Sequence, residues 1–476
     1  MNVADLVGAA AAEHGERTAF RMLDGSSTTW ADVDARVDAF AEQVRALGVR
    51  PGDRVAIVLP NGVGFAVAFW GVLRAEAVVV PVNPAYTPRE MAHILTDSGA
   101  VATVTAEGPA RIADAAAEPV DRDTAVICYT SGTTGVPKGA LLTHGNFLAN
   151  LHAFAGLPAL RLTADDVLLG LLPFFHIFGL NVILNAAALH GAEVLVMDRF
   201  SPTGSLHAMA EHGVTVAYGA PPVFAAWCAV PAGQAPPLPR LRAAVSGADS
   251  LPERVWHAFA ERYGVPIQES YGLTETAPGL TSNAAAPSPR AGTVGMPLPG
   301  VEVRVLAPDG TELGPGQVGE ITARGPNVFR GYHGHGAATA EVLDPDGWFR
   351  TGDLGEWDAD AYLVIKGRLK DLVIVSGFNV YPREVEAVLL EHPGIADAAV
   401  VGVPDGRTGE RVRAVVVPAP GASLTADAVL DHCRERLARY KLPREVVVAE
   451  AIPRRSTGKV ERTALRAIET GAAPSG

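Results

Sequence analysis

The segment Tyr129–Gly139, with the sequence YTSGTTGVPKG, has the composition of a loop that binds a polyanion. It holds three glycines and four serine or threonine residues in eleven positions, directly after the strand-like run Ala125–Cys128. Backbone N–H groups in such a loop can bind phosphate oxygens, and Lys138 adds a positive point charge. Because Lys138 follows Pro137 and precedes Gly139, the segment is not a Walker A loop, which excludes a P-loop ATPase.

A second set of residues suited to a nucleotide lies in Glu269–Thr276, with the sequence ESYGLTET. Tyr271 offers a flat ring on which a purine can stack. Thr274 offers a hydroxyl group to a phosphate, and Glu275 offers the hard carboxylate oxygen that Mg²⁺ prefers. This segment therefore extends the chemistry of the first one from phosphate binding to a complete nucleotide.

Three further segments follow toward the C-terminus. Trp348–Glu356, WFRTGDLGE, places Asp353 close to two glycines, where its carboxylate could accept both hydroxyls of a ribose. Gly367–Glu386 has the sequence GRLKDLVIVSGFNVYPREVE. Pro453–Lys459, PRRSTGK, is a polar loop that ends on Lys459, and lysine is scarce because only five of the 39 basic residues are lysines.

The elements that must position these residues alternate between helices and strands. This rhythm predicts a parallel sheet with helices on both faces. Beyond Gly292, short strands separated by glycine and proline predict a small barrel or antiparallel sheet. After Lys370 a compact α+β pattern begins, with a helix predicted over Ala426–Ala438. The first predicted elements are a helix over Trp30–Leu47, a strand over Arg54–Leu59, a helix over Gly64–Leu73 and a strand over Ala77–Val82.

Composition restricts the function classes. The 476 residues carry 39 basic and 52 acidic side chains, a net charge of −13, which disfavours a general nucleic-acid binder. The three cysteines, Cys128, Cys228 and Cys433, are too few and too scattered for a disulfide framework or a zinc site. The sequence has no apolar run long enough for a transmembrane segment and no signal-peptide pattern. We therefore expect a soluble, cytoplasmic protein.

In this order and spacing, the five segments resemble the adenylate-forming superfamily of acyl-CoA synthetases, nonribosomal adenylation domains and beetle luciferases. The resemblance runs from about Thr29 to about Ala464. LPFFHIFGL at Leu172–Leu180 and RERLARYKLP at Arg434–Pro443 make it closest to fatty-acyl-CoA and 4-coumarate-type CoA ligases.

The resemblance implies an α/β fold with two domains. The large N-terminal domain, residues 1–369, would contain two doubly wound α/β subdomains and a small β-barrel-like subdomain. The small α+β C-terminal domain, residues 370–476, would move about a hinge at Lys370. Such a domain would bring Lys459 to the nucleotide in one pose and complete a CoA tunnel in the other.

The resemblance also implies the chemistry. ATP and a carboxylic acid, with Mg²⁺, would give acyl-AMP and pyrophosphate, and CoA would then displace AMP. The implied residues are Thr130, Ser131, Gly132, Thr133, Thr134, Gly135 and Lys138 for the β- and γ-phosphates; Thr274 for the α-phosphate; Glu275 for Mg²⁺; Gly247, Ala248, Glu269, Ser270, Tyr271 and Gly272 around the nucleotide; Asp353 and Arg368 for the ribose; Ser376 and Gly377 for the CoA tunnel; and Lys459 between the carboxylate and the α-phosphate.

The implied acyl pocket is apolar. It comprises Tyr218, Gly219, Ala220 and Pro221, with His176 at its mouth to gate or orient the substrate. No arginine lies in these stretches to pair with a second carboxylate, so a medium- or long-chain fatty acid is the first expectation and an aryl acid the second. The alternatives are transfer of the acyl group to a carrier protein or an amine, luciferase-type oxidation, and a non-catalytic binding protein.

A Lys459→Ala variant tests the role that the resemblance implies for Lys459. We expect loss of acyl-AMP formation, since a fixed charge at a reacting phosphoryl group is worth about 10²-fold or more in rate. The variant should still convert supplied acyl-AMP to the thioester, measured in separate half-reaction assays. Equal loss of both half-reactions would contradict the assignment.

Overall fold

The computed structural model describes residues 1–112, 120–130, 137–454 and 460–468. Within these residues the chain forms four β-sheets with flanking helices. The strands are β1 Thr18–Met22, β2 Ser27–Thr29, β3 Arg54–Ile57, β4 Val78–Pro81, β5 Ala100–Thr105, β6 Gly108–Arg111, β7 Thr124–Thr130, β8 Lys138–Thr143, β9 Val167–Gly170, β10 Glu193–Val196, β11 Val216–Gly219, β12 Ala243–Ser246, β13 Ile267–Gly272, β14 Gly279–Ser282, β15 Met296–Pro297, β16 Glu302–Leu306, β17 Gly319–Arg324, β18 Phe349–Trp357, β19 Leu363–Arg368, β20 Val373–Val375, β21 Phe378–Val380, β22 Ile395–Asp405, β23 Gly409–Pro418 and β24 Glu445–Val448.

The helices connect these strands. They are α1 Asp5–His14, α2 Trp30–Ala46, α3 Val63–Arg74, α4 Pro88–Ser98, α5 His144–Ala155, α6 Ile177–Gly179, α7 Ala186–His190, α8 Pro202–Glu211, α9 Pro221–Ala229, α10 Glu253–Tyr263, α11 Gly336–Val342, α12 Pro382–Leu390, α13 Ala426–Arg434 and α14 Arg462–Ala467. A π-helical stretch, Leu180–Asn185, joins α6 to α7. Among the described helices, none has both the length and the apolar character needed to cross a bilayer.

The first half of the chain builds two mainly parallel sheets. A six-stranded sheet has the order β6-β5-β3-β4-β7-β8, and a nine-stranded sheet has the order β15-β14-β13-β12-β11-β9-β10-β1-β2. The residues of β3, β4 and β12 are buried throughout, as expected for parallel strands covered by helices on both faces. The predicted α/β class and its β-α-β rhythm are therefore confirmed.

The chain divides into two compact units. Unit 1 comprises Met1–Val303 and Thr322–Thr351, and unit 2 comprises Arg304–Ile321 and Gly352–Gly476. A four-stranded sheet, β16-β17-β18-β19, occupies the region predicted to be barrel-like, and a five-stranded sheet contains β20 to β24. Lys370 lies within unit 2. The domain boundary between residues 369 and 370 and the hinge at Lys370 remain predictions.

Unit 2 has its own hydrophobic core beneath the long hairpin of β22 and β23. Its helix α13 ends at Arg434, four residues before the predicted end at Ala438. The Leu437 N–H still donates to the Cys433 carbonyl at 2.9 Å, after which the chain forms a short 3₁₀ turn, Arg439–Lys441. The Arg436 N–H donates to the same Cys433 carbonyl at 3.1 Å, and this i−3 bond tightens the last turn and ends the helix.

In unit 1, β13 continues into residues 273–279, here named the Glu275 loop. Three buried asparagine amides hold this loop. Asn181 Nδ2 donates to the Ala277 carbonyl at 2.8 Å, and Asn327 Nδ2 donates to the Gly279 carbonyl at 2.8 Å. Asn150 Nδ2 donates to the same Gly279 oxygen at 3.0 Å. Buried carbonyls need partners, and here side-chain amides supply these hydrogen bonds.

Asn181 is also the middle of a longer buried chain of hydrogen bonds. Trp70 Nε1 donates to Asn185 Oδ1 at 3.0 Å, and Asn185 Nδ2 donates to Asn181 Oδ1 at 3.2 Å. Asn181 Nδ2 makes a second bond to the Phe147 carbonyl at 3.2 Å. The Glu275 loop is thereby tied through side chains to α3 and α5.

An Asn181→Leu variant should destabilise unit 1 by about 3 kcal/mol, because several buried groups lose their partner and the bulkier methyl groups must fit a fully buried site. Urea unfolding followed by tryptophan fluorescence measures this effect, since five of the six tryptophans lie in unit 1. The control is the same substitution at the exposed Asn379, which should stay within about 0.5 kcal/mol of the parent. Equal stability of the two variants would show that the amide chain is not needed.

Candidate functional site

The glycine-rich segment connects the two strands of a hairpin in unit 1. β7 and β8 pair antiparallel, with Thr130 opposite Lys138 and Tyr129 opposite Gly139. A Cβ atom at position 139 would lie 2.5 Å from Ile127 Cγ2, so glycine is needed at this crossing. The hairpin therefore places Thr130 and Lys138 side by side at the two ends of the segment. The predicted phosphate ligands Ser131, Gly132, Thr133, Thr134 and Gly135 lie outside the described residues.

The hairpin is anchored to α4 by polar contacts. The Tyr129 hydroxyl donates to Asp97 Oδ2 at 2.7 Å, and the His93 ring packs edge-on against Tyr129 at 6.5 Å. Burial, together with the hydrogen bond to Asp97, raises the pKa of Tyr129 well above its ordinary value. Tyr129 therefore stays a neutral donor and fixes the strand that precedes the segment.

Lys138, Tyr332 and Glu275 form a cluster beside this hairpin. The Lys138 ammonium lies over the Tyr332 ring, 5.4 Å from its centroid. The Tyr332 hydroxyl donates to Glu275 Oε1 at 2.8 Å. A tyrosine ring attracts a cation through its π face, so Tyr332 holds the positive and the negative group at once without letting them pair. Within the described chain, no carboxylate forms an ion pair with Lys138.

Backbone pairing brings Tyr332 to this place. Tyr332 bridges to Ala140 of β8, and the neighbouring His333 N–H donates to the Gly139 carbonyl at 2.8 Å. The Tyr332 N–H donates to Thr339 Oγ1 at 2.9 Å. Tyr332 was missed by the sequence reasoning, because it lies 57 residues from Glu275 in a segment without a recognised chemical pattern.

Thr274 and Glu275 lie on a one-turn 3₁₀ helix in the Glu275 loop. Glu275 is 8% exposed, and its carbonyl accepts from the Phe329 N–H at 2.8 Å. A Cβ atom on Gly272 would lie 1.8 Å from the Pro278 oxygen, so only glycine allows the chain to fold back here. Thr274 is half-buried and directly precedes Glu275, and its phosphate role stays a prediction.

Cys128 of β7 is buried near the same carboxylate. Burial and, second, the negative charge of Glu275 raise the pKa of the Cys128 thiol to about 12. Cys128 thus remains a neutral, unreactive side chain that is buried beneath strand β7.

The residues predicted around the nucleotide lie on two neighbouring parallel strands: Gly247 and Ala248 directly follow β12, and Glu269 to Gly272 form the end of β13. Gly247 donates its N–H to the Gly219 carbonyl at 3.3 Å, and Ala248 has a φ angle of +75°, so the chain turns sharply after β12. Glu269 is buried and accepts from the Leu251 N–H at 3.1 Å, which fixes this turn. Ser270 Oγ donates to Ser282 Oγ at 2.8 Å.

The remaining members of this set are Tyr271 and Gly272. Tyr271 is only half-buried, with its β13 position opposite Thr281 of β14. Its ring therefore keeps exposed area on which a base can stack. Gly272 ends β13 and begins the fold-back described above.

Tyr218 to Pro221, which were predicted to line the acyl pocket, lie in unit 1 at the end of β11 and the start of α9. Phe178 packs edge-on against Tyr218 with ring centroids 6.4 Å apart, and a Cβ on Gly247 would lie 3.0 Å from the Phe178 ring. Burial raises the pKa of Tyr218, so its hydroxyl is neutral. Gly219 ends β11, Ala220 precedes α9 and Pro221 is its first residue. The glycine at 247 gives these aromatic rings room beside the turn that follows β12.

His176 precedes α6 and caps it. The Phe178 N–H donates to His176 Nδ1 at 3.3 Å, so Nδ1 is the acceptor and the neutral ring carries its proton on Nε2. The residue is half-buried. This hydrogen bond fixes the orientation of the ring at the start of α6.

The other predicted residues belong to unit 2. Asp353 is 4% exposed, pairs in register with Arg368 across β18 and β19, and lies 2.8 Å from Arg368 Nε through Oδ1. Lys370 is exposed on the 3₁₀ turn Leu369–Asp371. Ser376 and Gly377, with φ angles of +51° and +83°, form the tight exposed turn between β20 and β21. Lys459 lies outside the described residues.

Comparison with protein families gives two matches that together span most of the chain. Residues 7–120 and 106–333 match the model of the AMP-binding enzyme, and residues 384–459 match that of the AMP-binding enzyme C-terminal domain. Both units of the structure are therefore represented in the matched regions.

Individual relatives agree with these matches. A feruloyl-CoA synthase of Amycolatopsis sp. is 38% identical over 93% of this chain and 94% of its own length. A long-chain-fatty-acid–CoA ligase of Salmonella typhimurium is 34% identical over 96% of this chain and 92% of its own length. The crystal structure of ATP-bound MatB from Rhodopseudomonas palustris superposes with a TM-score of 0.87 at 34% identity, covering 98% of both chains.

Proposed function

The chain belongs to the AMP-binding enzyme family, and on this basis we propose that it joins an apolar carboxylic acid to CoA at the expense of ATP. In the first half-reaction a carboxylate oxygen attacks the α-phosphorus of ATP, and the bond to the β-phosphate breaks to release pyrophosphate. In the second, the CoA sulfur attacks the acyl carbon and AMP leaves. Similarity to both a feruloyl-CoA synthase and a long-chain-fatty-acid–CoA ligase supports an acid–CoA ligase of this kind.

The Lys138–Tyr332–Glu275 cluster is the observation that carries the proposal. It presents an ammonium group and a carboxylate at one end of a hairpin whose loop has a phosphate-binding composition. A neighbouring opposite charge would partly neutralise each group, whereas the intervening phenol leaves both able to act on a ligand. Phosphoryl transfer depends on such fixed charges, since positioning and electrostatic stabilisation supply most of its acceleration.

Glu275 fits a magnesium ion that is shared with ATP. Among the residues described, no group of three histidine, cysteine, aspartate or glutamate side chains is arranged to hold a metal by itself. One carboxylate plus substrate phosphates is, however, a normal donor set for Mg²⁺. When bound, the ion would offset phosphate charge, while Lys138 and Thr274 would orient the phosphates.

For the remaining residues we propose the roles that the sequence resemblance implies. Tyr271, Gly247 and Ala248 would flank the adenine, with Glu269, Ser270 and Gly272 maintaining the strands beside it. Asp353, with Arg368 at 2.8 Å, would bind the ribose. Lys459 would bridge the carboxylate and the α-phosphate, and rotation about Lys370 would bring Ser376 and Gly377 to CoA.

The proposed substrate is an apolar carboxylic acid. His176 would orient it at the mouth of a pocket that includes Tyr218 to Pro221. The expected classes, a medium- or long-chain fatty acid first and an aryl acid second, both have a counterpart among the relatives, whose names refer to long-chain fatty acids and to a feruloyl group.

Acid-dependent exchange of pyrophosphate into ATP tests this function. We expect exchange with at least one acid from a panel of C6 to C18 fatty acids, cinnamates and benzoates, and thioester formation when CoA is added. Exchange without thioester would contradict CoA as the acceptor and favour a carrier protein or an amine. Absence of exchange with every acid, together with Mg²⁺ and ATP, would overturn the proposed function.

A Tyr332→Phe variant tests the cluster itself. Removal of the hydroxyl frees Glu275 to reorient, and loss of a residue that orients a metal ligand typically lowers metal affinity or activity about 10- to 100-fold. We expect the Mg²⁺ concentration for half-maximal exchange to rise within this range. The cation–π contact with Lys138 is retained, so the effect isolates the bond to Glu275.

Tyr129→Phe is the matched control, because it removes another hydroxyl of the same region that donates to Asp97 instead. It should leave the Mg²⁺ dependence unchanged. An unaltered Mg²⁺ dependence in Tyr332→Phe, with exchange activity retained, would show that Glu275 needs no support from Tyr332.

A further inference from the structure

Helix α4 faces the glycine-rich hairpin with two side chains that lie one turn apart, His93 and Asp97. His93 Nε2 lies 3.3 Å from the carbonyl oxygen of Pro137, directly before β8, and Asp97 accepts from the Tyr129 hydroxyl of β7 at 2.7 Å. Residues four positions apart are neighbours on the surface of a helix. One face of α4 therefore contacts both strands of the hairpin.

Both ends of α4 are fixed by hydrogen bonds. At its start, Thr87 and Glu90 form a capping box, in which the Thr87 N–H donates to the Glu90 carboxylate at 2.8 Å. At its end, Gly99 has a φ angle of +61°, and the buried Arg54 donates from Nε to the Ser98 carbonyl at 2.9 Å. A positive charge at the C-terminus of a helix is favourable. Helix α4 is thus a firm support for the side chains that reach the hairpin.

The hydrogen bond from His93 acts on the peptide unit that leads into Lys138. A carbonyl oxygen only accepts, so Nε2 carries the proton and donates it. Because the Pro137 carbonyl and the Lys138 N–H belong to one planar peptide unit, fixing the oxygen also fixes the position of Lys138 Cα. Pro137 has no N–H group to add to the strand ladder. His93 therefore supplies a hydrogen bond where the pairing of β7 with β8 ends at Lys138.

Lys138 is thereby restrained at both ends of its side chain. Its ammonium lies over the Tyr332 ring, 5.4 Å from the centroid, and its backbone is held by His93 through the Pro137 carbonyl. A lysine side chain is a flexible four-carbon stem that carries a compact charge. Restraining the base and the tip of this stem reduces the conformational freedom that is lost when the ammonium binds a phosphate, and binding is strengthened accordingly.

We propose that His93 is a positioning residue for the β- and γ-phosphates of ATP, and that it acts through the Pro137 carbonyl on Lys138. This inference rests on the proposed function, in which Lys138 orients these phosphates. His93 sets the affinity of the site for ATP and for pyrophosphate. The affinity for AMP does not depend on it, because AMP lacks both phosphates.

A His93→Phe variant of the full chain tests the proposal by nucleotide binding. The substitution keeps an aromatic ring beside Tyr129 and removes the N–H donor. We expect the Kd for ATP in the presence of Mg²⁺, measured by titration calorimetry, to rise about 3- to 10-fold, the range that corresponds to one lost hydrogen bond. The Kd for AMP should stay at the value of the parent.

Two further variants separate the hydrogen bond from a general effect of substitution. His93→Gln is the rescue variant, because a glutamine amide N–H can donate to the same carbonyl, and it should restore most of the affinity for ATP. His207→Phe is the matched control. The ring of His207 also bonds to a backbone carbonyl, that of Thr203 at 2.9 Å, but it does so on α8. This control should leave both dissociation constants unchanged.

The two half-reactions provide a second readout. In pyrophosphate exchange, His93→Phe should raise the KM for ATP and for pyrophosphate over the same range of about 3- to 10-fold, with a smaller effect on kcat. Conversion of supplied acyl-AMP and CoA to the thioester should keep the kcat/KM of the parent, because neither the β- nor the γ-phosphate takes part in that step. A merely structural role for His93 would lower both half-reactions together.

The outcomes distinguish this inference from the proposed function. An unchanged Kd for ATP in His93→Phe, an equal weakening of ATP and AMP, or a failure of His93→Gln to restore ATP binding would each overturn the inference while the ligase function stands. A parent protein that shows the expected Kd values but exchanges pyrophosphate with no acid would overturn the proposed function alone. A parent protein that binds no ATP would overturn both.

Discussion

The buried carbonyls of the Glu275 loop impose the constraint on which the rest of unit 1 depends. A segment that leaves a sheet loses its ladder partners, yet here it stays inside the protein, so its carbonyl groups must find other donors. The amides of Asn150, Asn181 and Asn327 meet that need. Because these amides come from α5, from the π-helical stretch and from the chain before Tyr332, satisfying the loop also draws the parts of the site together.

The positive charge of Lys138 and the negative charge of Glu275 are kept apart. In an acidic protein, a lysine next to a carboxylate would ordinarily pair with it, and a paired charge is less available to a ligand. Tyr332 prevents this by offering its ring face to Lys138 and its hydroxyl to Glu275. The interaction with each group is modest, so a nucleotide and its metal ion can compete for both. The same residue therefore positions the two charges and leaves them usable.

Much of the architecture could be predicted from the sequence, because β3, β4 and α3 have the apolar runs and periodicity that their burial requires. Helix α13 ends four residues before the predicted end, since an amphipathic pattern continues beyond the point at which the backbone turns. Site residues such as Lys138 and Glu275 could be predicted because each belongs to a sequence motif whose functional residues are adjacent along the chain. Tyr332 and Asn150 act through distant contacts, and a residue type alone does not reveal a partner dozens of positions away.

Cys128 has a consequence for a protein that handles an activated acyl group beside a thiol substrate. An acyl-adenylate reacts with any accessible thiolate, so a reactive cysteine near the site would be acylated by the enzyme's own intermediate or would form a mixed disulfide with CoA. With a pKa of about 12, the Cys128 thiol is ionised in only about one molecule in 10⁵ at pH 7, and it is also buried. Burial first, and the charge of Glu275 second, thus keep this thiol neutral and provide chemical self-protection, while the sulfur of CoA is left to react.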